Sequence, residues 1–123
     1  VALPECTYEY TDHGVLLVDH GFRSSWESTN AFTTFFSAAF KTLQTMHLVG
    51  PREFSRHTDN THDEVITIFP VVYRSALAKG VDETLGVTGT WGGHYHETCR
   101  RKGDDWLMAK CTMDRIYEQP AAR

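Results

Sequence analysis

The chain has 123 residues, of which 41% are hydrophobic and 12% aromatic, and its formal net charge is −4. That length supports one domain, spanning 1–123, around a single core, and the composition is that of a globular chain rather than a disordered one. The acidic balance argues against a nucleic-acid partner, and no apolar run approaches the roughly 18 residues of a membrane span.

No signal-peptide pattern opens the chain, and the three cysteines (Cys6, Cys99 and Cys111) lack CxxC spacing. Reduced thiols and a cytoplasmic location fit this usage. The sequence begins at Val1 and moves at once into strand-like residues, so further N-terminal residues are expected.

In chain order, Thr7–Thr11 is β-branched and aromatic and predicts a strand, with Tyr8 and Tyr10 on one face and Thr7, Glu9 and Thr11 on the other. Asp12-His13-Gly14 is a turn signal. Val15–His20 is a second strand or a continuation of the first, and Gly21 to Glu27 reads as a loop. Ser28 is a candidate N-cap.

From Thr29 to about Met46 the period is helical. Phe32, Phe35, Phe36, Ala39, Phe40, Leu43 and Met46 follow the i, i+3, i+4, i+7 rule, and the same line extended reaches His47. Gly50-Pro51 is expected to end the helix.

Strand candidates come next at Arg52–His57, Glu64–Tyr73, Gly86–Arg101 and Trp106–Tyr117, with a polar turn at Thr58 to His62 and a loop from Ala78 to Leu85. Pro70 is expected to mark a bulge or bend, as are Gly89, Gly92 and Gly93. Lys102 to Asp105 is a hairpin turn that accounts for the basic cluster Arg100, Arg101 and Lys102. One helix followed by antiparallel strands is an α+β pattern.

The order helix, Thr45-Met46-His47, Asp63-Glu64-Val65-Ile66, Gly93-His94-Tyr95-His96-Glu97 and Gly103 to Trp106 resembles the SnoaL-like polyketide cyclase and scytalone dehydratase branch of the nuclear transport factor two-like superfamily. The resemblance covers most of the chain. It implies a cone-shaped barrel: a curved antiparallel sheet wrapped around a helix and enclosing an apolar pocket. Family members usually carry two helices before the first strand, and these are missing from this sequence.

The resemblance also implies site residues. His47 matches a pocket histidine in the Thr-x-His pattern. A His in an apolar cavity stays neutral near pH 7 and can take and return a proton. The competing reading is a core histidine with one satisfied hydrogen bond. Tyr10 matches a tyrosine that helps bind a substrate carbonyl, against the alternative of a core tyrosine bonded to backbone.

Tyr95 and Glu97 fall where relatives have a tyrosine and a pocket acid. Burial would raise the pKa of such an acid, and the alternative for Glu97 is an ion pair with Arg100, Arg101 or Arg115. Phe36, Phe40, Phe69 and Tyr73 would line the pocket, or simply make a core.

Alternation puts His94, His96 and Thr98 on the face opposite Tyr95, Glu97 and Cys99. A metal at His94-x-His96 lacks an evident third ligand, and a subunit interface is the better use of that face. Asp12, His13, Asp19 and His20 are expected at the rim, mostly in turns. Ser75 stands where the dehydratase pattern has a second histidine, so that enzyme's acid–base pair is incomplete and its particular dehydration is not expected to transfer.

No GxGxxG, P-loop or GxSxG is present, and no Asp/Arg/Asp cluster of the epoxide-hydrolase kind is evident. The expectation is an enzyme without metal or cofactor, a cyclase, isomerase or dehydratase, acting on a small hydrophobic natural-product intermediate of polyketide or terpenoid type. It would be a homodimer or homotrimer without membrane contact. The alternative is a non-catalytic binding or dimerising module on the same fold.

Overall fold

The structure, a computed structural model, describes residues 1–77 and 87–120. Among the described residues ten strands accompany one α-helix: β1 (Ala2–Asp12), β2 (Val15–Leu16), β3 (Val18–Asp19), β4 (Phe22–Arg23), β5 (Ser25–Trp26), α1 (Thr29–Ala39), β6 (Leu43–Val49), β7 (Glu53–Thr58), β8 (Asp63–Leu77), β9 (Val87–Lys102) and β10 (Asp105–Pro120). The main sheet runs β2-β1-β10-β9-β8-β6, with β5 beside β1 and β7 beside β8. Every pairing in it is antiparallel except β1 with β10, which is parallel. The expected loop at Ala78 to Leu85 lies outside the described residues.

The N-terminal strand is longer than the expected Thr7–Thr11, and two matching turns shape the segment between it and the helix. Asp12-His13-Gly14 and Asp19-His20-Gly21 are both two-residue hairpin turns, joining Asp12 to Val15 and Asp19 to Phe22. Each needs two successive positive-φ residues: His13 at 49° and Gly14 at 82°, His20 at 49° and Gly21 at 81°. The expected single strand Val15–His20 and the loop after it are therefore four short strands. Trp26, on the last of them, is buried.

Helix α1 starts as expected, with the Ser28 hydroxyl accepting from the Ala31 N–H at 3.0 Å. It does not reach Met46. It ends at Ala39, passes through one 3₁₀ turn (Phe40–Thr42) and becomes β6. The apolar period suggests a longer helix because Leu43 and His47 also satisfy strand alternation. Backbone pairing of β6 with Val71–Leu77 of β8 decides the matter, a tertiary interaction that overrides local period.

Pro70 is not a bulge, since β8 pairs with β9 without interruption from Glu64 to Ser75. Instead it marks where one edge partner gives way to another. β6 covers Val71–Leu77, β7 covers Asp63–Ile68, and the Gly50 N–H donates to the Pro70 carbonyl at 2.9 Å between them. A proline is tolerated there because its missing N–H points toward that interrupted edge. The bulge expected at Gly89 is present, where the register of β9 against β8 slips between Ser75 and Ala76. Gly92 and Gly93 pair regularly with β8, and the extra residue near them, Ile116, belongs to β10. The register slips opposite them, between Arg115 and Tyr117 of β10.

Leu3, Cys6, Tyr8, Trp26 and Cys111 form the core, with Phe32, Phe36, Tyr10 and Tyr95 packed on it. The aromatic contacts join α1 to the sheet's inner face: Tyr8 stacks on Phe32 at 4.0 Å, and Tyr10 meets Phe36 at 5.7 Å. Full burial of such a ring is worth about 1.5–3 kcal/mol, and the partly buried Phe32, Phe36 and Tyr10 contribute less.

Candidate active site

Alternation from the buried Phe69 assigns the inner face. On β8 it carries Thr67, Phe69, Val71 and Tyr73. Their cross-strand partners on β9 are Glu97, Tyr95, Gly93 and Trp91, and β10 contributes Met113 and Cys111 opposite Tyr95 and Glu97. On β6 the partner of Tyr73 is His47. Two aromatic runs result. His47 meets Tyr73 edge-on at 4.8 Å and Tyr73 stacks on Trp91 at 4.6 Å, while Phe69 stacks on Tyr95 at 5.3 Å.

His47 thus stands on a strand rather than on the helix, and its ring is reached from the open side of the sheet. Partial burial against the neighbouring strand still lowers its pKa from the usual 6.5, so the ring is neutral at pH 7. Burial also raises Tyr73, against a lowering hydrogen bond from Ser75. Ser75 is thus a neighbour of Tyr73 and pairs with Thr45, two residues from His47.

Tyr10 and Tyr95 are deeper. Burial is the main cause that pushes Tyr10 far up, with Tyr95, Cys111 and Tyr73 adding to it. Burial followed by Cys111, Glu97 and Tyr73 pushes Tyr95 up to about 12. Both phenols are therefore neutral donors across the physiological range, within electrostatic reach of each other.

Glu97 has an ion-pair partner, but not one of those expected. Its Oε2 lies 3.5 Å from Nη1 of Arg52, while Arg100 pairs with Glu64, Arg101 with Asp63, and Arg115 with Asp12 and Glu118. Sequence pattern marks Arg52 only as the start of a strand. It follows the Gly50-Pro51 crossing, and its guanidinium lies over the Phe69 ring at 4.2 Å from the centroid.

The structure brings Tyr10, Tyr73, Tyr95 and Glu97 into one neighbourhood with Phe69, and sets His47 at its rim against Tyr73. Phe36 joins through Tyr10. Phe40 touches Phe36 at 5.1 Å but is 41% exposed, outside that layer. Sequence reasoning missed Trp91 and Arg52. Trp91 shares parity with Tyr95, so alternation alone contained it. Arg52 depends on the strand crossing and had no local signal.

A groove of about 380 Å³ lies between β6 and β8, lined by Gln44, Thr45, Met46, Arg74, Ser75 and Ala76 and not by His47. A second concavity of about 400 Å³ lies on the outer face, with Glu9, His96, Lys110 and Asp114 among its walls. The outward placement of His96 agrees with alternation. Among the described residues no three His, Cys, Asp or Glu side chains are grouped to hold a metal ion. The rim residues behave as turn residues: Asp12 bonds His13 and Arg115, and His20 lies 3.4 Å from Asp19 in the open. The three cysteines are all free thiols, and no helix among the described residues is long and apolar enough to cross a membrane.

A curved, largely antiparallel sheet wrapped on one helix, with a layer of aromatic and ionisable residues inside, defines an α+β cone of the nuclear transport factor two-like class. The chain is similar to solved structures of that shape. With 11% identity and a TM-score of 0.65 it covers 99% of itself and 70% of a scytalone dehydratase candidate from Novosphingobium aromaticivorans. It also matches hexachlorocyclohexane dehydrochlorinase LinA-type3 from Novosphingobium barchaimii, at 13% identity and a TM-score of 0.62 over 99% of this chain and 73% of that one. No family model matches the sequence.

A curated relative does. The chain is 36% identical over 118 residues to "Probable cyclase FGR4" of Gibberella zeae, covering 95% of this chain and 75% of that one. The chain belongs to the SnoaL-like cyclase and scytalone dehydratase branch of the superfamily.

Proposed function

We propose that the protein catalyses a proton-transfer reaction without a cofactor (cyclisation, isomerisation or dehydration) on a hydrophobic intermediate of polyketide or terpenoid type. Family membership makes it an enzyme of the lyase or isomerase kind. The observation that carries the finer reading is the pairing of a neutral, accessible His47 with Tyr73, at the edge of a layer holding Phe69, Tyr95, Glu97 and Tyr10.

In this reading a flat apolar substrate lies on the aromatic layer. His47 removes a proton from an acidic C–H or O–H and later returns it. Tyr10 and Tyr95, held neutral by burial, donate hydrogen bonds to the oxygen on which negative charge develops. Glu97 is the second proton carrier, and Phe36, Phe69 and Tyr73 contact the body of the substrate, whereas Phe40 lies outside the layer. We place the enzyme in the cytoplasm, which the free thiols support. The outer face around His94 and His96 is the contact we assign to a homodimer or homotrimer.

The test uses 2-tetralone, a bicyclic ketone with acidic C–H bonds, in deuterated buffer. The wild-type protein should accelerate exchange of the α-protons, and His47→Ala should remove that acceleration. Equal exchange by the two proteins, or none by either, would favour a passive binding module.

A further inference from the structure

Arg52, Arg56, Arg100, Arg101 and Arg115 each have an ion-pair partner, and those partnerships differ in quality. Arg101 stands 3.8 Å from Asp63 but is anchored by a 2.9 Å bond from its Nε to the Gly103 carbonyl. Arg56 is gripped by both oxygens of Asp63 at 2.9 and 2.7 Å, and Thr58 completes that site at 3.0 Å. Arg115 is held by Asp12 at 2.9 and 2.8 Å, with Glu118 at 3.1 Å. Arg100 donates two bonds of 3.3 Å to Glu64. These guanidiniums are committed to structure.

Arg52 is different. Its one ion pair among the described residues, to Glu97, spans 3.5 Å, longer than a good N–H···O hydrogen bond. Its side chain is 47% exposed while that of Glu97 is 22% exposed. The flat guanidinium rests on the buried Phe69 ring, which itself stacks on Tyr95. A planar fork of donors, seated on an aromatic surface and only loosely held by a carboxylate beneath it, is arranged to accept a second planar anion.

We propose that Arg52 is the specificity-determining residue of the site: it binds an acidic oxygen pair of the substrate, a carboxylate or an enolised β-dicarbonyl, whose ring system lies on the aromatic layer. The inference rests on the functional reading above and adds the substrate class. Glu97 holds Arg52 in place when the site is empty and gives up part of that contact when the anion arrives. The crossing at Gly50-Pro51 fixes the geometry, because the Gly50–Pro70 contact ties the segment carrying Arg52 down beside Phe69.

The experiment compares 2-naphthoate with 2-naphthamide, which share one ring system and differ in charge, by quenching of tryptophan fluorescence. The wild-type protein should bind naphthoate at least about tenfold more tightly, the preference expected of a charge-assisted pair. Arg52→Gln should bring the two ligands to within about twofold, and Arg52→Lys should fall between, since it keeps the charge but loses the fork. Glu97→Gln, which removes the competing carboxylate, should strengthen naphthoate binding several-fold. A purely structural role for Arg52 would instead leave that variant unchanged or weaker.

Equal binding of both ligands by the wild type, or an unchanged preference in Arg52→Gln, overturns the assignment of Arg52 while leaving the aromatic site standing. Failure of both ligands to bind overturns the assignment together with the reading on which it rests. Thermal melts of each variant verify that the fold is retained.

Discussion

Gly50 and Pro70 touch across the sheet edge: the Gly50 N–H donates to the Pro70 carbonyl at 2.9 Å, and a β-carbon on residue 50 would lie 2.5 Å from the Pro70 ring. This contact is the point at which β6 hands the edge of β8 to β7. It fixes the register that sets His47 against Tyr73 on one side, and it leaves Arg52 over Phe69 on the other. A residue pair with no chemistry of its own therefore determines where two of the proposed functional groups stand.

Gly50→Ala is accordingly expected to destabilise the protein by about 1–3 kcal/mol, the usual cost of forcing an extra carbon into a packed contact. Pro70→Ala in the same chain should recover part of that loss, because the clash is with the proline ring. Urea unfolding of the two single variants and the double variant measures this. Additive losses would show that the contact is not the cause.

The outer face has its own anchor. Asp114 accepts from the Thr11 hydroxyl at 2.6 Å and from the Gly14 N–H at 2.7 Å, tying the first hairpin turn to β10. The Thr11 bond is the main cause that holds the Asp114 carboxyl below its ordinary 3.8, with burial opposing it and the Gly14 bond adding to it. A carboxyl depressed by folding contributes stability that is full above 3.8 and is lost as pH falls through its lower folded value. Asp114→Asn should cost roughly 1–3 kcal/mol at pH 7, and the difference from wild type should shrink in acid. Denaturant midpoints at pH 7 and pH 3 test both statements.

The thiols supply a third expectation. Cys6 and Cys111 are 0% and 8% exposed; burial raises both, Cys111 to about 12, and Cys99 is also raised by burial. Thiolate is the reactive form, so all three should react slowly in the native protein at pH 8. Ellman's reagent should modify Cys99 first and reach three thiols only in denaturant. Rapid native reaction of Cys6 or Cys111 would contradict the described packing.

Much of this molecule is legible from local pattern because local forces decide it. The Ser28 cap, the turn at Asp12-His13-Gly14, and the opposite faces of Tyr95 and His96 all come from a few adjacent residues. The end of α1 is not legible in that way. Leu43 and His47 satisfy both a helical and an alternating pattern, and only pairing with residues far along the chain, on β8, chooses between them. The identity of the Glu97 partner is hidden for the same reason. Arg100 and Arg101 are near in sequence but point to Glu64 and Asp63, whereas Arg52 arrives through a strand crossing that no local signal announces. Sequence pattern therefore singles out His47 but puts it on the wrong element.

In the proposed reaction a neutral His47 is the base. The most direct measurement is the pH dependence of α-proton exchange from 2-tetralone, for the wild-type protein and for His47→Asn. Burial lowers the His47 pKa beneath 6.5, so exchange should rise with pH along a limb centred below that value and then level off by pH 7. In His47→Asn the rate should fall by roughly a hundredfold or more and the limb should vanish. An unchanged rate and limb in His47→Asn would contradict the assignment.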